Sequence, residues 1–353
     1  MSDRYFITVI FQFYRLLNLS ELEKYDSQQM YKVYDNWPEI AKNAYDLNLK
    51  SIEYTNVNNI IFCGMGGSGA IGDIFASILS KTSIHVSVVK GYVLPKTIDQ
   101  NSLVVITSVS GNTVETLTVL KQAKDLNCKI IAFSSGGEIE KYCIKNEIEY
   151  RKIQKIHSPR AAFTNYLYSI LKILEPIIPI NEEMVLQSII ELEKTKKIIS
   201  SDNLNSENIS LKLAEWIKGI PIIYYPFGLQ SVAIRFKNSL QENAKKHVMC
   251  EDILEACHNG IVAWENLSSV QPILLKGEDD YIKTKERWEI INEYFTLNQI
   301  EFKEVFSVKG DILTKIINMI YVLDYTSIYL AILSKTDPSP VQSISYIKSK
   351  IEK

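Results

Sequence analysis

Two short stretches of this 353-residue chain hold the residue types that grip a small anion. Gly64-Met65-Gly66-Gly67-Ser68-Gly69 follows an apolar run and opens a helical one. Glycines there let the backbone approach a ligand, and free N–H groups at a helix start attract negative charge. The spacing also fits the G-x-G-x-x-G pattern of dinucleotide binding, which wants an acid about 20 residues on for the ribose hydroxyl. The next strand candidate instead ends Val89-Lys90-Gly91-Tyr92, so a dinucleotide site would be of the NADP kind, with Lys90 on the 2′-phosphate. The second stretch, Ser108-Val109-Ser110-Gly111-Asn112-Thr113, puts three hydroxyls and a glycine where a strand runs into a helix. One hydroxyl suffices for an N-cap. Three in six residues point instead to a phosphate monoester, bound by Gly66, Gly67, Ser68, Ser108, Ser110 and Thr113 without need of a cation.

The elements that position these turns follow from the hydropathy pattern. Short β-branched runs at 60–63, 84–90, 103–107 and 129–133 alternate with helical spacing at 70–79 and 114–126. A second series has strands at 221–225, 271–276 and 301–307, with helices at 229–246, 284–297, 312–334 and 341–353. Near-continuous apolar strands separated by helices mean parallel sheets covered on both faces. The fold class is therefore α/β, two tandem doubly wound domains, the second a degenerate repeat of the first. A single core rarely exceeds about 250–300 residues, which also favours two domains. The expected division is an extension over 1–30, an anion-binding domain over 31–198 and a second domain over 199–353, with the polar stretch 200–208 as linker.

Composition removes several function classes. Lys+Arg 39 against Asp+Glu 41 gives a formal charge of −2, so there is no electrostatic footprint for nucleic acid or an anionic membrane. The apolar stretch 5–17 is shorter than the ~20 residues of a membrane span and carries Gln12 and Arg15. It lacks the basic start and small-residue cleavage site of a signal peptide and reads as a docking helix, or as sequence ahead of a start at Met30. Five cysteines with no C-x-x-C indicate reduced thiols and a cytoplasmic protein. His247, Cys250, Cys257 and His258 form H-x₂-C-x₆-C-H, which matches no common zinc site, so no metal and no cofactor are expected.

The ordered pair of turns resembles the sugar isomerase (SIS) fold. His157-Ser158-Pro159-Arg160-Ala161-Ala162, the stretch 236–245, Glu255-Ala256-Cys257-His258-Asn259 and the ending Asp337-Pro338-Ser339-Pro340-Val341 through Lys348 are similar to the bifunctional phosphoglucose/phosphomannose isomerases. The likeness runs over roughly residues 35–353 in the same order. It implies a metal-free aldose–ketose isomerase, working on glucose 6-phosphate or mannose 6-phosphate and fructose 6-phosphate through a cis-enediol(ate). It also implies a homodimer of two-domain subunits.

The resemblance assigns four catalytic residues. Glu242 would be the base that moves a proton between C1 and C2. His258, from the neighbouring subunit, and Lys348 would open the sugar ring. Arg160 would steady the enediolate as a permanently charged fork. Ser339 stands where the family commonly has a threonine, whose hydroxyl is associated with accepting mannose 6-phosphate; serine keeps the hydroxyl and loses the methyl that fixes its rotamer. Periodicity by itself would not single out Glu242. With Leu229, Val232, Ala233, Phe236, Leu240 and Ala244 as the buried stripe, it falls on the polar face with Arg235 and Asn238. Three other readings stay open: a non-catalytic sugar-phosphate sensor, an NADP-dependent oxidoreductase, and an isomerase of other sugar phosphates.

Overall fold

Strong β-branched character in the runs after residue 57 produces strands whose residues are buried on both faces. In the computed structural model, which describes residues 17–351 apart from Asn48, β1 (Asn59–Cys63) sends Ile60 and Phe62 to one core and Ile61 and Cys63 to another. The apolar stretch 5–16 and its expected docking helix lie outside the described residues.

Helices α1 (Leu19–Tyr25), α2 (Met30–Asp35) and α3 (Trp37–Asp46) come before the first sheet. After β1 come α4 (Gly66–Leu79), β2 (His85–Val89), β3 (Ser102–Ser108), α5 (Val114–Lys124), β4 (Lys129–Ser134), α6 (Gly137–Lys145) and β5 (Glu149–Lys152). Three helices then lead to the second sheet: α7 (Phe163–Leu174), α8 (Glu182–Ile199) and α9 (Ile209–Trp216). The second unit contains β6 (Ile220–Tyr225), α10 (Gln230–Asn243), β7 (Met249–Asp252), α11 (Ile253–Ala256), β8 (Val270–Lys276), α12 (Ile282–Leu297) and β9 (Lys303–Phe306). It closes with α13 (Ile312–Leu333) and α14 (Gln342–Ile351).

Every strand pair is parallel, in the orders β2-β1-β3-β4-β5 and β7-β6-β8-β9. The first four positions of the two sheets match strand for strand, as a repeat requires. The hydropathy pattern did not assign β5 and β7. Both are short, polar edge strands, Glu-Tyr-Arg-Lys and Met-Cys-Glu-Asp, without an apolar run to mark them.

The two sheets share one central core. Ile60, Phe62, Leu103 and Val105 of the first sheet and Ile223, Ile273 and Leu275 of the second belong to the same buried cluster, filled by α7 and α13. α13 is apolar around most of its circumference because it is buried along nearly its whole length. Asp311 caps it, accepting from Thr314 N at 3.0 Å. Its buried polar groups are matched by partners on other elements, among them Asp324 with Arg235 and Ser327 with Asn243. Leu17, Leu22 and Met30, within or flanking the stretch read as an extension, are buried in this same core. The polar stretch 200–208 is likewise tied down: Asn208 accepts from Leu211 N to cap α9, and its amide donates to Ile199 O.

Candidate active site

The two anion-binding turns sit at the carboxyl ends of β1 and β3, where the strand order reverses, the usual place for ligands in an open α/β sheet. Gly66 opens α4 at φ +54 with open space where a side chain would be. A Cβ on Gly67 would come within 3.0 Å of Pro159 O and 3.3 Å of Arg160 N, so glycine lets α4 approach the Arg160 turn. Ser68 is buried, and its Oγ accepts from Val109 N at 3.3 Å, joining one turn to the other. In the second turn Ser108 Oγ and Thr113 Oγ1 are 2.9 Å apart, and Ser110 Oγ accepts from Asn112 N. A side chain on Gly111 would collide with Gly136 O, which explains glycine there at φ +69. Thr113 occupies the N-cap of α5 without bonding its amides, and no side chain caps α4. The hydroxyls thus serve the turns rather than the helix starts: Ser68, Ser108 and Ser110 accept from the amides of Val109, Gly111 and Asn112, while in the first turn of α4 Ser68 N already donates to Met65 O.

The carboxylate comes from the other half. Glu242 lies in the last turn of α10 and is partly exposed to a cleft of about 810 Å³, whose walls also include Gly66, Lys245, His247, Pro340 and Ser343. Arg160, on the turn before α7, is 5% exposed and reaches the same carboxylate, Nη1 to Glu242 Oε2 at 3.2 Å. Its Nε donates to Asn243 Oδ1 at 2.7 Å, and Nη2 to Pro338 O at 2.6 Å and Ser339 O at 2.9 Å. Four of five donors are engaged, so the guanidinium is locked in one orientation.

A buried scaffold holds that lock in place. Arg235 Nη2 donates to Arg160 O at 3.0 Å, and Trp37 Nε1 to Ala161 O at 3.0 Å. Arg235 also donates through Nε to Asp324 Oδ2 at 3.1 Å, and its guanidinium lies 3.8 Å from the Phe163 ring centre. Ser239 and Tyr34 hydroxyls complete the shell of Asp324. Burial pushes the Asp324 carboxyl up, while Arg235 and these donors pull it down. This corrects the helical-wheel expectation that put Arg235 on the solvated face. It is 2% exposed, because α13 supplies an anion to the position that periodicity called polar.

Residues 53–171 match the SIS domain, and residues 206–351 match the Bacterial phospho-glucose isomerase C-terminal SIS domain. A bifunctional phosphoglucose/phosphomannose isomerase from Caldicellulosiruptor bescii is 30% identical over 91% of this chain and 98% of its own length. The chain belongs to the bifunctional phosphoglucose/phosphomannose isomerase family. Another member, from Aquifex aeolicus, is 28% identical over 92% of this chain and 99% of its own. A solved structure of a hypothetical protein from Thermus thermophilus shares the fold, with a TM-score of 0.72 at 12% identity, over 94% of this chain and 92% of that one.

Not every expected site residue reaches the cleft of this protomer. His258 is exposed on the turn after α11, where its amide donates to Glu255 O, and it does not line the cleft. Lys348 is on α14, a helix with no buried residue; the first turn of α14 borders the cleft, but Lys348 does not. Ser339 is buried, with Oγ 3.5 Å from the buried Asp26 Oδ1, and contributes its carbonyl to Arg160. Of the residues expected to bind the phosphate, Gly66 lines the cleft, and Ser108, Ser110 and Thr113 do not. Lys90 is paired with Asp73 at 2.5 Å, which leaves it unavailable for a 2′-phosphate. Among the described residues no three His, Cys, Asp or Glu side chains are grouped to hold a metal ion.

Sequence reasoning gave no role to Asn243, Asp324 or Lys245. Asn243 and Lys245 flank the assigned base in the sequence, which is a signal. Asp324 had none, lying inside an apolar helix 82 residues away from Glu242 (324 − 242).

Proposed function

We propose that this chain interconverts glucose 6-phosphate, and mannose 6-phosphate, with fructose 6-phosphate. The observation that carries the reading is the single cleft bordered by Gly66 of the anion-binding turn and by Glu242, with Arg160 Nη1 3.2 Å from the Glu242 carboxylate. The 6-phosphate is held by the amides of Gly66 and Gly67 and by the hydroxyls of Ser68, Ser108, Ser110 and Thr113. Glu242 takes the proton from C2 of the open-chain aldose, and the C–H electron pair forms the C1–C2 double bond of a cis-enediol(ate). Glu242 then returns that proton to C1, and the hydroxyl proton passes from O2 to O1. Arg160 orients the carboxylate and lends fixed positive charge beside the developing oxyanion.

Ring opening is assigned to His258 of a second subunit and to Lys348, which makes a homodimer the working unit. The exposure of His258 and of all of α14 in one protomer supports that assignment. All five cysteines are free thiols, in keeping with a cytoplasmic enzyme of sugar-phosphate metabolism.

A coupled assay with each hexose 6-phosphate, run with a chelator present, tests substrate class and metal independence together. Turnover of both aldoses is expected, and loss of turnover with chelator would overturn the metal-free scheme. Mixing subunits tests the shared site. Glu242→Gln and His258→Ala are each inactive alone. Their mixed dimers regain about a quarter of wild-type activity, one intact site of two in half of the dimers. Absence of recovery would place His258 in its own subunit's site.

A further inference from the structure

Lys245 sits just past the C-cap of α10, Ala244, at φ +54. The next amide, Lys246 N, bonds back six positions to Leu240 O at 3.2 Å, so the helix ends in a turn whose left-handed position belongs by default to glycine. Glu147, Gln299 and Lys335 hold the same backbone position after α6, α12 and α13, so what sets Lys245 apart is where its side chain lies. That side chain lines the cleft next to Glu242. Its Nζ donates to Glu242 O at 2.6 Å and Pro338 O at 3.4 Å, both neutral carbonyls. No carboxylate lies within ion-pair distance of it among the described residues. An ammonium has three donors, so one N–H remains for a ligand. Arg160 is less accessible, with four of its five N–H groups already engaged.

We propose that Lys245 is a second cation of the reacting centre, touching the substrate oxygen that becomes negative while Glu242 holds the carbon-bound proton. The inference rests on the isomerase reading above. An enediolate spreads its charge over two oxygens, and the remaining Nη1 donor of Arg160 serves only one of them. Lys245 takes the other, donating a hydrogen bond that strengthens as charge develops; no bond other than those of the proton relay is made or broken. Five groups face or surround the ammonium: Arg160, Asp337, Glu242 and, along the same wall, the basic pair Lys246 and His247. Burial and then Arg160 lower the ammonium from its ordinary 10.5, opposed by Asp337 and Glu242. A less tightly held proton is better shared with an oxyanion.

Lys245→Gly separates function from structure, because glycine relieves the left-handed backbone. The variant is expected to melt about 2 °C higher than the wild type and to lose about a hundredfold in kcat, with KM for fructose 6-phosphate changed less than threefold. Lys245→Arg recovers part of kcat and moves the alkaline limb of the kcat profile upward, since guanidinium stays charged. A Lys245→Gly enzyme with kcat within threefold of wild type overturns the proposal. So does a loss of kcat matched by a fall in melting temperature in both the Gly and Met variants, which would mark Lys245 as a structural cap. Normal turnover in Lys245→Gly alongside an inactive Glu242→Gln removes only the lysine's role. Normal turnover in both removes the isomerase site itself.

Discussion

The two sheets have the same strand order and opposite chemistry at their switch points. After β1 and β3 the chain offers glycine amides and three hydroxyls; after β6 and β8 it offers Pro226-Phe227-Gly228-Leu229 and Gly277-Glu278-Asp279-Asp280. In the second unit Asp280 Oδ2 accepts from Gly277 N at 3.0 Å and from Trp288 Nε1 at 3.0 Å, so a carboxylate of the chain itself occupies that turn. Asp279 adds further charge, paired with Lys315. Glu278 is paired in turn with Lys309, so the acids of this turn are engaged within the protein.

The equivalent helices are used at opposite ends. α4 brings its N-terminus, positive by its peptide dipoles, to the cleft through Gly66. α10 brings its C-terminal turn to the same cleft, with Glu242 and then Lys245 in its wall. Cations gather at that end, Arg160 and Lys245 among them, where the dipole is negative. The proposed function makes one half of this repeated fold the binding half and the other the reacting half.

Substitutions on either side test that division. Glu242→Gln is expected to lower kcat by about 10³-fold or more and to abolish exchange of the C2 proton with solvent, with KM nearly unchanged. Measurable exchange would take the chemistry out of the second half. Ser110→Ala with Thr113→Ala should raise KM for the sugar phosphate about tenfold at little cost in kcat, because phosphate binding is uniform along the reaction. If KM is unaltered, the ester is bound elsewhere. Asp280→Ala, its mirror in the second half, should leave kcat and KM alone and destabilise by about 1–2 kcal/mol through two orphaned donors. An effect on KM would show that the second switch point meets substrate after all.

The smallest expected effect concerns the pH dependence of Asp26, which anchors the Ser339 turn. Burial raises its carboxyl above the ordinary 3.8, against bonds from the Tyr31 and Met30 amides that lower it; Asp337 adds to the rise and His157 opposes it. A raised carboxyl binds its proton more tightly in the folded protein. Its contribution to stability is thus greatest below 3.8 and is lost as pH rises through the folded value. Asp26→Asn should therefore compare more favourably with wild type at neutral pH than at pH ~4 in urea unfolding. A difference that is flat with pH would show that the carboxyl does not titrate abnormally.

Much of this was legible in the chain because its signals are local. Alternating apolar runs and helical stretches are short-range patterns, and seven of the nine strands follow from them. The glycine and hydroxyl turns announce their conformation through residue type, as Gly111 at φ +69 shows. β5 and β7 were silent because edge strands need no apolar face. Arg235 was misread because a wheel records which side of a helix a residue takes, not what waits there.

Residue types and their near neighbours were enough for the α/β class, seven of the nine strands and the glycine and hydroxyl turns, since each depends on positions close together in the chain. It took the folded molecule to bring Arg160 against Glu242, to make Arg235 a buried strut on Asp324, and to set the backbone of Pro338 and Ser339 around the guanidinium. Those contacts join residues more than 80 positions apart, and two of them use carbonyl oxygens that every residue carries. No pattern of side chains can mark a backbone carbonyl. Burial chooses which one is used.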